Sequence, residues 1–144
     1  MPNENEIVTK SGPGEKYLKL NTLKEFEQFV HKLAHQGKRL ICITGVDLGD
    51  EIELIYHFER GNGTLLHLRF RVNPHVTHIS LQELFPSAWT YENEIVEQFG
   101  IKIKGIEGKL LLGKDLEGKN PLRKKFNIEQ ITLQDKNGST KTVK

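Results

Sequence analysis

The groups in this chain that could do chemistry are few: six histidines, one cysteine and a set of acids along one predicted helix. The helix lies in Phe85 to Ile101, FPSAWTYENEIVEQFGI. Pro86 ends what precedes it, Ser87 or Thr90 is the expected cap, and Gly100 is the expected C′ residue. Glu92 and Glu94 are then expected in the opening turn, near the positive end of the helix dipole. Ala88, Trp89, Glu92, Ile95, Val96 and Phe99 fall on one side at helical spacing, which puts a carboxylate on an apolar stripe. Such a group either rims the core in water or pairs with a cation from another segment, because a lone buried charge costs several kcal/mol.

The histidines offer two metal-ligand geometries. His31 and His35 stand one helical turn apart, and His57 and His67 face each other if the segments around them form a hairpin, with His75 and His78 following Pro74. A zinc-type site needs a third ligand at a defining spacing, and no carboxylate or thiolate supplies one, so the histidines are read as surface residues and no metal is assigned. Cys42 alone can form neither a disulfide within the chain nor an all-cysteine cluster, and its apolar surroundings read as core.

The elements that must position these groups are legible. Thr22 and Glu25 form a capping box ahead of Leu23, Phe26, Phe29, Val30, Leu33 and Ala34, an amphipathic helix ending at Gly37. Lys38 to Val46 reads as a buried strand, closed by a turn at Asp47-Leu48-Gly49-Asp50. Glu51–Arg60 and Thr64–Asn73 flank Gly61-Asn62-Gly63, which predicts a hairpin. Its register pairs Ile52 with Val72, Leu54 with Phe70, Tyr56 with Leu68 and Phe58 with Leu66 on the apolar face, and Glu53 with Arg71 and His57 with His67 on the other. Ser80 and Glu83 suggest a short capped turn, and Ile101 and Ile103 a short edge strand. The fold class is α+β: an antiparallel or mixed sheet with an N-terminal amphipathic helix and a second helix on one face, and an extended C-terminal segment.

Organisation follows composition. The 144 residues are 36% hydrophobic and 28% charged, within the range of one globular domain, and no apolar run reaches bilayer length. Residues 1–101 carry ten Lys/Arg against fourteen Asp/Glu, a balance of −4, whereas 102–144 carry eleven against five, a balance of +6. The expected division is a flexible arm at 1–16, an α+β core at 17–105 and a basic, partner-wrapping segment at 106–144. Residues beyond Asn127 are expected to be mobile without a partner, with Asn137-Gly138 as a hairpin turn.

Pro86-Ser87-Ala88-Trp89, Glu92, Glu94, Glu97 and Phe99-Gly100-Ile101, followed by Pro121-Leu122-Arg123-Lys124 and Phe126, resemble the thirty-kilodalton subunit family of respiratory complex I. That family has short counterparts in energy-converting membrane-bound [NiFe] hydrogenases and related ferredoxin-driven complexes. Asn93 stands where the family commonly has Arg, Glu97 and Lys125 where it has Asp, and Gly105-Ile106-Glu107-Gly108-Lys109-Leu110-Leu111-Leu112 replaces a Gly-His-Pro-Asp-Leu-Arg-Arg run. These departures lean toward the hydrogenase-like branch.

The resemblance implies a non-catalytic subunit of a hydrophilic arm, peripheral on the cytoplasmic face of the cell membrane, bracing a large catalytic subunit beside a cluster-bearing small subunit and held to the membrane by integral subunits. It implies no cofactor in this chain, with iron–sulfur clusters, and in one branch a NiFe centre, in the partners. Trp89, Glu92, Glu94, Glu97, Phe99, Gly100, Ile101, Pro121, Leu122, Arg123, Lys124 and Phe126 become the interface and motif residues, with Glu92 and Glu94 paired to Arg123 and Lys124 or to cations of a partner. One alternative is the same subunit type in an NADH or other quinone-reducing dehydrogenase. Another class of reading, a small nucleic-acid-binding domain, would use Arg123, Lys124 and Lys125 as phosphate contacts, but glycines and acids interrupt the basic residues and aromatic stacking groups are scarce after Phe99, so no nucleic acid is assigned.

Overall fold

The alternating apolar residues of the central hairpin set the frame of the computed structural model, which describes residues 8–12, 14–61, 63–113, 116, 118–124, 132–134 and 140–142. In chain order the elements are β1 (Val8–Gly12), β2 (Glu15–Leu20), α1 (Leu23–His35), β3 (Arg39–Asp47), β4 (Ile52–Gly61), β5 (Thr64–Val72), α2 (Ala88–Phe99), β6 (Thr132–Gln134) and β7 (Thr140–Thr142). β4 and β5 pair in the register the alternation dictates, with Ile52 opposite Val72, Tyr56 opposite Leu68 and His57 opposite His67. A one-residue slip would turn every apolar side chain to the wrong face.

Around this hairpin the sheet runs β1-β2-β5-β4-β3. β2 lies parallel to β5 and the other neighbours are antiparallel, so the sheet is mixed. One face carries the core: Leu18, Leu54, Tyr56, Phe58, Leu66 and Leu68 are essentially solvent-free, and Phe26, Phe29, Val30 and Leu33 of α1 close over it. Each such side chain contributes about 1.5–3 kcal/mol when fully buried. The capping box forms as expected, Glu25 N donating to Thr22 Oγ1 at 3.2 Å and Thr22 N to the Glu25 carboxylate at 3.4 Å.

Several local expectations fail for identifiable reasons. Within the supposed loose arm, residues 8–12 form β1, which uses the otherwise open edge of β2. Cys42 is half-exposed and not core, because a bulge between Leu40 and Cys42 turns it to the helix-free face opposite His57. Ile101 and Ile103 are buried but form no strand. Instead His78 bridges to Ile103, its N–H donating to Lys102 O at 2.8 Å and its carbonyl accepting from Lys104 N at 3.0 Å. Glu83 is exposed, and Ser80 itself takes the Gln82 amide at 3.1 Å. In the segment expected to wrap a partner, Gly108, Leu110, Leu111, Leu122 and Arg123 are hydrogen-bonded to α2. β6 and β7 pair antiparallel on either side of Asn137-Gly138, which lie outside the described residues.

His78 is a core histidine. Its ring lies 5.5 Å from the rings of both Phe26 and Phe70, with Nε2 3.1 Å from the Tyr56 hydroxyl, and burial pushes its pKa down to about 4. The unfolded chain therefore binds a proton here below about pH 6.5 that the folded chain refuses until about pH 4. Stability at this site is full at neutral pH and falls on acidification through that window, by about 2–3 kcal/mol at pH 4.5. Urea unfolding of wild type and His78→Gln at pH 7 and pH 4.5 checks this: the wild type should lose that much more than the variant, and equal losses would contradict the assignment.

Candidate functional site

α2 is buried on two flanks, and each buried polar side chain on it holds a different loop. Its core flank is Ala88, Glu92, Ile95 and Phe99, at i, i+4, i+7 and i+11. Glu92 is fully buried, and the two groups that bond it are neutral. Its carboxylate accepts from Ser80 Oγ and from Leu81 N, both at 2.6 Å, which fastens the connection between β5 and α2 to the helix. Burial raises its pKa, and those two donors offset part of the effect. The expected pairing with Arg123 or Lys124 is not made.

Nor do the acids sit in the first turn. The helix starts at Ala88, so Glu92 falls in the second turn and Glu94 faces solvent. Ser87, at the cap position, has helical backbone angles, and its hydroxyl donates to Leu40 O at 3.3 Å on β3 instead of capping. Trp89, placed on the apolar stripe by periodicity, is 44% exposed because the stripe turns away from it after Ala88.

The second flank is Asn93 and Glu97, covered by residues 105–112. Asn93 Nδ2 donates to Trp89 O at 2.8 Å and Oδ1 accepts from Gly108 N at 3.1 Å. Glu97 Oε1 accepts from the amides of Leu110 and Leu111, and Oε2 lies 2.8 Å from the latter. An irregular loop lying against a helix must find acceptors for its amides, and one carboxylate here serves two consecutive residues. A cleft of about 350 Å³ remains between helix and loop, lined in part by Val96, Gly100, Leu112 and Asn120.

The second sequence block closes on the end of α2. Gly100 caps the helix at φ 71°, and a side chain there would collide with Asn120. Leu122 N donates to Gln98 O at 3.0 Å. Arg123 lays its guanidinium across the helix C-terminus, Nη1 donating to Phe99 O at 3.2 Å and Nε to Asp47 Oδ2 at 3.0 Å, where a cation is also favoured by the helix dipole. Asp47 takes the Lys124 amide at 2.7 Å and the Gly49 amide at 2.8 Å, and these donors together with Arg123 lower its pKa. Phe99 packs directly over Gly45 of β3, where no side chain would fit.

The expected motif residues thus divide. Glu92, Glu97, Phe99, Gly100, Ile101 and Arg123 build the unit, with Pro121 half-buried beside them. Trp89, Glu94, Leu122 and the Lys124 side chain face solvent. Phe126 and Lys125 lie outside the described residues. With Arg123 engaged internally, the phosphate-contact reading loses its leading residue. The outer surface includes Trp89, Leu110, Leu111 and Leu122, 44%, 42%, 55% and 56% exposed, with Trp89 and Leu110 lining one depression. Apolar side chains on a backbone pinned from beneath suit docking.

The histidines do not converge as a set. His57 and His67 meet on the helix-free face, His78 lies in the core, and His75 is exposed. Among the described residues no group of three or more His, Cys, Asp or Glu could hold a metal. Sequence reasoning places Ser80 and Asp47 in turns and Asn93 among the departures from the family pattern, but assigns none of them the partner it has in the structure. Asp47 stands two residues before Gly49 in an Asx-type turn, and that turn does not announce a partner 76 residues later.

Replacing Glu97 by Ala should leave the Leu110 and Leu111 amides without acceptors. The expected result is loss of hydrogen-exchange protection confined to residues 105–112, with about 1–3 kcal/mol lower stability, while Glu97→Gln keeps part of both. Unchanged protection in the alanine variant would show that the loop is held by something else.

Residues 17–132 match the sequence model of the family described as "Respiratory-chain NADH dehydrogenase, 30 Kd subunit". No curated protein matches the chain. Among solved structures, the chain resembles one in the membrane-bound sulfane sulfur reductase, described as an archaeal respiratory membrane complex, at TM-score 0.71 and 23% identity, covering 84% of this chain and 75% of that one. It also resembles the trypsin-resistant fragment (1–134) of Nqo5, at TM-score 0.58 and 21% identity, covering 72% and 88% respectively. At these identities the likeness is one of fold.

Proposed function

Because the chain belongs to the 30 Kd subunit family of respiratory-chain NADH dehydrogenase, we propose that it is a non-catalytic structural subunit in the hydrophilic arm of a membrane-bound, complex I-related oxidoreductase. The observation that carries this reading is the pinned loop of α2. Buried Asn93 and Glu97 fix the backbone of residues 108–111, so that Leu110 and Leu111 stand outward beside Trp89. A surface that does not have to order itself on binding loses less entropy in doing so.

In this role the chain braces the large catalytic subunit, of the forty-nine-kilodalton or hydrogenase large-subunit type, and helps hold it against the cluster-bearing small subunit. Electrons pass through clusters, and in one branch a NiFe centre, in those partners, and this chain contributes geometry. No helix among the described residues is long and apolar enough to cross a membrane, so attachment at the cytoplasmic face runs through integral subunits. A ferredoxin-linked hydrogenase or a sulfur-reducing relative is favoured by the Gly105–Leu112 loop and by the breadth of the fold match to the sulfane sulfur reductase chain. An NADH- or other quinone-reducing dehydrogenase is the second reading, supported by the family match itself.

Affinity purification of the tagged chain from native membranes in mild detergent tests the proposal. The wild type should bring down a large subunit, a small cluster-bearing subunit and antiporter-like membrane chains. A large subunit with four metal-ligand cysteines indicates the hydrogenase branch, and one without them the sulfur or quinone branch. A Leu110→Ser/Leu111→Ser variant should recover about tenfold less large subunit with only a small change in unfolding midpoint, since the side chains are 42% and 55% exposed and the backbone stays bonded to Glu97. Wild type recovered alone would end the subunit reading.

A further inference from the structure

The two helices cover one face of the sheet. On the other, the cross-strand neighbours His57 and His67 bring their Nδ1 atoms to 2.6 Å, with ring planes at 76°. The second nitrogen of each ring faces a different group: His57 Nε2 is 2.8 Å from Thr44 Oγ1, and His67 Nε2 is 3.5 Å from Glu15 Oε1. Tyr17 stacks on His67 at 4.4 Å and fixes that ring, whose side chain is 9% exposed. When each ring carries its proton on Nε2, both Nδ1 lone pairs are open, and a cation bound by both relieves their repulsion; in the other tautomer of His57, Nε2 accepts from Thr44 Oγ1 and Nδ1–H donates to His67 Nδ1.

We propose that His57 and His67 form a two-histidine chelate for a borderline divalent transition ion, of the zinc or nickel class, bound through both Nδ1 atoms with Thr44 and Glu15 as outer acceptors. Imidazole nitrogen suits these ions, and a ligating histidine characteristically gives its other N–H to an outer acceptor; the Thr44 hydroxyl stands there for His57, while the buried His67 Nε2 makes no hydrogen bond among the described residues and has the Glu15 carboxylate 3.5 Å away. Metal–nitrogen bonds of about 2.0–2.1 Å at a tetrahedral angle put the nitrogens roughly 3.3 Å apart, so the rings need part by only about 0.7 Å. No third protein ligand stands with them among the described residues, which leaves the remaining positions to water and makes the ion exchangeable. The site is separate from the α2 surface and does not depend on the subunit reading.

A single proton is the competing occupant: a pair in which one ring's Nδ1–H donates to the other ring's Nδ1. His31 and His35, exposed one turn apart on α1, are a competing chelator. Calorimetric titration of Zn²⁺ into the chelator-stripped full chain separates these. One site is expected, weakened at least about tenfold by His57→Gln or His67→Gln, weakened about tenfold by Thr44→Val through loss of the outer acceptor, and untouched by His31→Gln/His35→Gln. Ring ¹⁵N spectra of the wild type should show Zn²⁺ shifting the Nδ1 resonances of both histidines, a readout that does not depend on any variant folding. Zinc binding abolished only in the α1 variant, or ring spectra showing a shared proton and no response to zinc, would overturn the assignment.

Discussion

Backbone amides in an irregular loop cannot be shielded from water without acceptors, and in this chain α2 provides them. Glu92 takes Leu81, Asn93 takes Gly108, and Glu97 takes Leu110 and Leu111. Remove these side chains and the segments on both sides of the helix lose these anchors, although the sheet and α1 would keep their own core. The polar content of α2 is therefore structural. Its buried acids accept from loop amides that no strand or helix satisfies, which lets the helix bury Glu92, Asn93 and Glu97 together.

The same economy governs the sheet end of the unit. Asp47 closes β3, accepts from its own turn at Gly49, and receives Arg123 and the Lys124 amide from the far end of the chain. Arg123 in turn satisfies the carbonyl of Phe99, whose ring lies over Gly45 of the same strand. Strand, helix end and C-terminal block are thereby tied by one ion pair and one aromatic contact. The two sequence blocks that carry the family resemblance are brought together as neighbours at this junction.

What periodicity could reveal, it revealed. The hairpin register from Ile52 to Val72 and the capping box at Thr22 follow from alternation and from a four-residue motif, both of which are local. The roles of Glu92, Asn93 and Glu97 were not legible, because their partners are amides, which every residue has and no composition marks. Trp89 and Cys42 were misplaced for a related reason. An apolar residue near the end of a helix, or next to a bulge, can satisfy the pattern and still point outward. The distant pairing of Asp47 with Arg123 likewise lies beyond any spacing rule.

The parallel junction between β2 and β5 has a consequence for how the chain must assemble. Leu18 pairs with Leu68, so the first of these strands leaves the ribosome with its partner fifty residues still unmade. The antiparallel hairpin of β4 and β5 can close on its own, but the N-terminal strand must wait beside α1 until that hairpin is complete and then slot in along its outer edge. β2 is thus among the last strands of the sheet to find its place, and a chain cut short before Thr64 keeps the β3–β4 pair but lacks the strand that β2 joins.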